Sequence, residues 1–129
     1  HSEREVLGFV GDGGFMMAGQ ELATAMQHGA APIILLFDNG MFGTIRMHQE
    51  RDHPGRAIAT DLRNPDFAAL ARAYGAVGET VERTEDFAPA MTRAREAGTA
   101  ALIHIKMDPD VISTRTTLSK IREAALAKR

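Results

Sequence analysis

An acidic side chain between glycines, Gly11-Asp12-Gly13, and an amide side chain, Asn39, each close the end of a short apolar run. Asp12 offers a charged hard oxygen and Asn39 a neutral one, the ligand types that Mg²⁺ takes when phosphate oxygens and water complete its octahedron. The glycines Gly11, Gly13 and Gly14 let backbone amides approach a phosphate and permit a tight turn into a helix, whose N-terminus favours negative charge. The two oxygen donors lie 27 residues apart, from Asp12 to Asn39, room for a helix and a second strand. Together they read as one magnesium–diphosphate site. Taken singly they say little, because Gly-Asp-Gly is most often an ordinary turn and Asn39-Gly40 a hairpin or loop turn. A dinucleotide site of the Gly-x-Gly-x-x-Gly type needs a third glycine where Met16 stands. No Gly-x-x-x-x-Gly-Lys-Ser/Thr phosphate loop occurs.

The elements that must position these residues are legible around them. Residues 7–10 and 33–37 are continuous apolar runs of the kind buried on both faces of a parallel sheet. Between them Phe15, Ala18, Leu22, Ala25 and Met26 recur at helical spacing, and Gly29 offers a stop. That order places Asp12 and Asn39 at the carboxyl ends of parallel strands, where open α/β sheets bind ligands. Residues 53–64 read as a connecting loop or lid. Asn64-Pro65 then predicts a helix start, with Asn64 as cap and Phe67, Leu70, Ala71 and Tyr74 as its apolar stripe. On that spacing Tyr74 is a packing residue.

Further along, residues 77–81 predict a short strand, Thr84-Glu85-Asp86 a helix start with Phe87, Ala90, Met91 and Ala94 on one side, and residues 101–107 a buried strand. Asp108-Pro109-Asp110 ends that strand as turn chemistry. A last helix follows, capped by Thr117, with Leu118, Ile121, Ala125 and Leu126 as its apolar face and Lys128-Arg129 complementing its dipole. The expected fold class is α/β: a partial doubly wound, mainly parallel sheet of about four strands with flanking helices. Such a sheet would leave edges and helix faces for other copies, or further chain, to cover.

At 129 residues the chain is one domain, long enough for a sizeable core. Its net charge of −2 lacks the basic excess of a nucleic-acid binder. The absence of cysteine excludes disulfides, thiol catalysis and iron–sulfur ligation. No apolar run approaches the ~20 residues of a membrane span. The partner classes expected are therefore small molecules and other copies of the chain, with neither nucleic acid nor membrane, in the cytoplasm.

The motif Gly11-Asp12-Gly13, its spacing to Asp38-Asn39, and the segments Gly13-Gly14-Phe15-Met16-Met17 and Gln20-Glu21-Leu22-Ala23-Thr24-Ala25 resemble the thiamine diphosphate-dependent decarboxylases and carboligases, most closely acetolactate synthase-like enzymes. In that family the cofactor motif opens with Gly-Asp-Gly and ends in Asn-Asn; here the first Asn is replaced by Asp38. The resemblance implies thiamine diphosphate and Mg²⁺ as cofactors, with Asp12, Asn39 and the Met41 carbonyl as metal ligands and Asp38 in the supporting position. It further implies that Gly11, Asp12, Gly13, Gly14, Asn39, Met41, Phe42 and Gly43 bind the cofactor. Residues 41–45 either line the cofactor and substrate pocket or form a short capping helix.

By the same resemblance residues 1–129 are the later part of a thiamine diphosphate-binding domain. The glutamate that activates the aminopyrimidine is expected outside this chain, so neither Glu21 nor Glu50 takes that role and no catalytic residue is assigned. The implied activity is carboligation or decarboxylation of a 2-oxo acid or related carbonyl substrate, by a homo-oligomer, dimer or tetramer, with shared active sites. The 129 residues alone are expected to be inactive. The other reading is an assembly fragment that keeps the fold without a working cofactor site. His48 and His53 read as loop or surface residues. Arg46, Arg51 and Arg56 read as solvated or paired with nearby acids.

Overall fold

The runs at 33–37 and 101–107 become the two central strands of a parallel sheet, because the first is apolar on both faces and the second is so except for His104 and Lys106, and only a sheet interior covers both faces. The computed structural model describes residues 4–128. Its elements are β1 (Leu7–Gly11), α1 (Asp12–Ala18), α2 (Glu21–Gln27), β2 (Ile33–Asp38), α3 (Gly43–Asp52), α4 (Phe67–Ala73), β3 (Val77–Val81), α5 (Thr84–Glu96), β4 (Ala101–Lys106), β5 (Val111–Ser113), β6 (Thr116–Thr117) and α6 (Leu118–Leu126). The described chain forms two compact units. One comprises the chain up to Asp38 with Asn64–Lys106; the other comprises Asn39–Arg63 with the chain from Met107 onward.

The first unit holds the four-stranded sheet, in the order β1-β2-β4-β3, with every pairing parallel. Side chains alternate across the pleat. Leu36 and Leu102 enter one core with Phe15, Leu22, Phe67 and Ala71 from the helices. Ile33, Leu35, Ala101 and Ile103 enter the other, against Ala90, Met91 and Ala94 of α5. The expected α/β class, with its mainly parallel sheet and flanking helices, is the observed one.

Several local expectations are corrected. The first run does not lie between two covered faces: β1 is an edge strand in this sheet, and Phe9 is 69% exposed, stacked on Phe37 at 6.3 Å. The single helix expected before Gly29 is two. An added Cβ on Gly19 would lie 2.5 Å from the Phe15 ring, so the backbone turns there against a packed aromatic, and Ala18 falls on the exposed side. Gly29 does end α2, at φ +63.

The cap of α4 is Asp66, not Asn64: its Oδ1 accepts from the Ala69 amide at 2.9 Å. Phe67 and Ala71 of the expected stripe are buried and Tyr74 packs against the same core. In the second unit, α3 and α6 pack together and the hairpin β5–β6 follows the Asp108-Pro109-Asp110 turn, where no strand was expected. Thr117 caps α6 as expected, its Oγ1 accepting from the Lys120 amide at 3.3 Å, although Leu126 is 52% exposed. Arg129 lies outside the described residues.

Candidate functional site

Asp12 directly follows β1 and Asp38 is the last residue of β2. The parallel register pairs Gly11 with Phe37, so the next residue on each chain, Asp12 and Asp38, stand side by side at the carboxyl ends of adjacent strands. Both are buried, at 3% and 6% exposure. Burying two carboxylates together is costly unless each is hydrogen-bonded and their charge is offset. The Gly13 amide donates to Asp12 Oδ1 at 2.9 Å. Asn64 Nδ2 donates to Asp12 Oδ2 at 2.6 Å and to Asp38 Oδ1 at 2.7 Å. Lys106 Nζ and His104 Nε2 reach Asp38 Oδ2 at 2.7 and 2.8 Å. Both residues come from β4, where the register sets Lys106 opposite Asp38 and His104 opposite Leu36.

In the second unit Asn39 Oδ1 accepts from the Met41 amide at 3.3 Å, a turn that Gly40 closes at φ +69. An added Cβ on Gly43 would lie 2.8 Å from Asn39 Nδ2, so glycine there leaves the amide its place. The segment is held from the far side of its loop. The Phe42 amide donates to the Thr60 carbonyl and the Leu62 amide to the Gly40 carbonyl, both at 2.8 Å. Arg46 fastens the same stretch through Thr60 Oγ1 at 3.1 Å and Asp61 Oδ1 at 3.0 Å. Met41, Phe42 and Gly43 are half-buried, and α3 begins at Gly43, so a short helix does follow the loop.

Among the described residues no cluster of three or more His, Cys, Asp or Glu side chains is placed to hold a metal. A cation at Asp12 would therefore depend on amide, backbone, phosphate and water oxygens, which is the donor set Mg²⁺ prefers in phosphate sites. His48 and His53 are exposed, as expected. Arg46 pairs with Glu50 and Asp61, and Arg51 with Asp52.

Three contributors were missed. In sequence Asn64 carries the signal of a helix cap, and His104 and Lys106 lie within a strand pattern. The available signal was their polarity: a His and a Lys two apart in an otherwise apolar run face the same side, and buried polar groups require partners.

Residues 1–105 match the model of the thiamine pyrophosphate enzyme C-terminal TPP binding domain. The chain belongs to this family of thiamine pyrophosphate enzymes. It is similar to the 3D-(3,5/4)-trihydroxycyclohexane-1,2-dione hydrolase of Bacillus subtilis (strain 168), 33% identical over 120 residues, covering 88% of this chain and 19% of that protein. It is similar to the acetolactate synthase large subunit of Corynebacterium glutamicum, 39% identical over 99 residues, covering 73% of this chain and 16% of that protein. The structure resembles benzoylformate decarboxylase from Polynucleobacter necessarius with a TM-score of 0.77 and 25% identity, over 84% of this chain and 20% of that one. The chain thus spans about a fifth of the length of the relatives it matches. Those relatives include a hydrolase, a synthase and a decarboxylase, so what they share with this thiamine pyrophosphate enzyme domain is the cofactor-binding fold rather than one reaction.

Proposed function

We propose that this domain anchors the diphosphate of thiamine diphosphate through Mg²⁺, as the C-terminal part of the cofactor-binding domain of a longer enzyme acting on a 2-oxo acid or related carbonyl compound. The observation that carries the reading is the buried Asp12 carboxylate, held at the carboxyl end of β1 with Gly13 and Asn64 as donors. Asp12, Asn39 and the Met41 carbonyl are the proposed metal ligands, with Gly11, Gly13, Gly14, Phe42 and Gly43 against the cofactor. When bound, the cofactor supplies the nucleophile and the electron sink for carbonyl cleavage. The residues of this chain bind and orient: Asp12 offers a charged oxygen in fixed alignment, Asn39 a neutral one, and the glycines leave room for close backbone approach.

Acetolactate synthase-like carboligation is the first specific reading, supported by the 39% identity, and decarboxylation the second, supported by the structural likeness to a decarboxylase. The hydrolase relatives keep cyclic diones within the carbonyl class. A homo-oligomer with shared sites, dimer or tetramer, in the cytoplasm completes the proposal. The 129 residues by themselves are expected to show no turnover.

The test is calorimetric titration of thiamine diphosphate with and without Mg²⁺, using the full enzyme and its Asp12→Ala variant. Binding that requires Mg²⁺ and is lost in the variant is expected. Metal-independent binding would remove Mg²⁺ from the anchoring, and a folded assembly that binds nothing would replace this reading with the assembly role.

A second substitution addresses Asn39. Gly43→Ala should push the Asn39 amide aside and weaken Mn²⁺ binding about tenfold, the equivalent of roughly 1.4 kcal/mol. Its unfolding midpoint should hardly move. Electron paramagnetic resonance of free Mn²⁺ reads the loss, and an unchanged affinity would detach Asn39 from the site.

A further inference from the structure

Asp38 stands where the family motif carries its first Asn, and its surroundings explain the exchange. Asn64 Nδ2 donates to its Oδ1, while Lys106 Nζ and His104 Nε2 meet its Oδ2, at 2.7, 2.7 and 2.8 Å. The ammonium is a donor only. The Asn64 amide is oriented by its neighbours, because the reversed group would set its oxygen against two carboxylates. Among the described residues, His104 Nδ1 is buried with no hydrogen-bond partner. The ring therefore carries its proton on Nε2; the other tautomer would bury an unsatisfied N–H and turn a lone pair toward Asp38.

Three donors thus converge on one side chain. A carboxylate accepts at both ends, whereas an asparagine, whichever way it is turned, presents its NH₂ either to Asn64 or to Lys106 and His104. The Asn64 nitrogen has two hydrogens and spends both, one on Asp38 and one on Asp12. Lys106 also supplies the counter-charge, so the exchange of Asn for Asp need not load the site with uncompensated negative charge.

We propose that Asp38 is the positioning residue of the candidate cation site: held by Lys106 and His104 of β4, it fixes Asn64, which in turn fixes the Asp12 carboxylate. The inference rests on the reading of Asp12 as a metal ligand and deepens it. It has a consequence opposite to what motif matching suggests: Asp38→Asn, which restores the family's Asn-Asn pair, damages this site.

The experiment uses the full enzyme with thiamine diphosphate, titrated with Mn²⁺ and followed by electron paramagnetic resonance. The unfolding midpoint without metal is measured alongside. Asp38→Asn is expected to weaken Mn²⁺ binding about tenfold or more, the scale of one charge-assisted hydrogen bond. Asn64→Ala, a half-exposed loop position, should produce a similar loss of affinity and a lower metal-free midpoint, because two buried carboxylates lose their shared donor, so affinity is read at a temperature where every variant is fully folded. The double variant should be no worse than the weaker single one, because both act on one chain of contacts. Should Asp38→Asn fail to fold, Asn64→Ala carries the test alone. Mn²⁺ affinity equal to or above wild type in Asp38→Asn or in Asn64→Ala would overturn the proposal, as would additive losses. Asp12→Ala separates the two levels: if it leaves Mn²⁺ binding intact, the cation reading itself falls. If it abolishes binding while the other variants do not, only the positioning role falls.

Discussion

Replacing Glu50 by Gln is expected to cost about 3 kcal/mol, the low end for stripping one partner from a buried ion pair. Glu50 sits on α3 with its side chain 1% exposed. It accepts from Arg122 Nε of α6 at 2.8 Å, from the Gly55 amide at 2.9 Å and from Arg46 Nε at 3.3 Å. One carboxylate therefore ties together α3, α6 and the loop that follows α3. The arginines left behind can rehydrate, since their side chains are 40% and 19% exposed, which holds the cost to the low end.

The effect should depend on pH. The Arg122 hydrogen bond, against the opposing pull of burial and with help from Gly55 and Arg46, lowers the Glu50 pKa from 4.5 to about 2. A folded value below the unfolded one means the stabilisation is fully present above pH 4.5 and is lost as the pH falls from there toward 2. Urea midpoints of wild type and Glu50→Gln should differ by a constant amount near neutrality and converge in acid. A gap that persisted through the acid range would show that the charge on Glu50 is not what stabilises this unit.

The second large effect is steric. At Gly78 the strand β3 approaches α4 so closely that an added Cβ would lie 2.1 Å from the Ala68 carbonyl oxygen and 2.8 Å from its carbon. Backbone cannot rotate away as a side chain can, and Arg72 Nη1 already ties the Gly78 carbonyl at 2.7 Å. Gly78→Ala should cost about 3 kcal/mol, at the upper end of overpacking, and lower the melting temperature by roughly 10 °C. Gly98 is the control. It has φ +64 and open space around its Cβ position, so Gly98→Ala should cost only about 1 kcal/mol of backbone strain. Equal losses at the two positions would mean that the β3–α4 approach is softer than the contact distance implies. Because Asn64 lies just before α4, the same displacement should also weaken cation binding.

What could be read from the sequence was what depends on pattern. The runs at 33–37 and 101–107 gave the central strands, because both faces of such strands are covered and the apolar signal is unbroken in the first and interrupted only by His104 and Lys106 in the second. Asp12 stood out only in combination, as a glycine-flanked acid after one apolar run with Asn39 closing the next. The edge position of β1 was not legible: Leu7 to Val10 are as apolar as the central strands, and only pairing order exposes Phe9. Asn64-Pro65 carried the composition of a cap, yet local preference for Asn and Asp is nearly equal there, and the distant carboxylates of Asp12 and Asp38 decided between them. The break at Gly19 likewise depended on where the Phe15 ring packs, which spacing alone does not encode.

The side-by-side placement of Asp12 and Asp38 also makes strand alignment accountable to a single amide. A slip of β1 against β2 by one residue would carry Asp12 about 3.3 Å along the sheet and turn its neighbours to the opposite face. Asn64, held at 2.6 and 2.7 Å from the two carboxylates, cannot span that offset with one nitrogen. A slipped conformer would thus have to bury two acids without their shared donor. A register that keeps Asp12 and Asp38 abreast is therefore favoured by the polar cluster in addition to the alternation of faces along the strands.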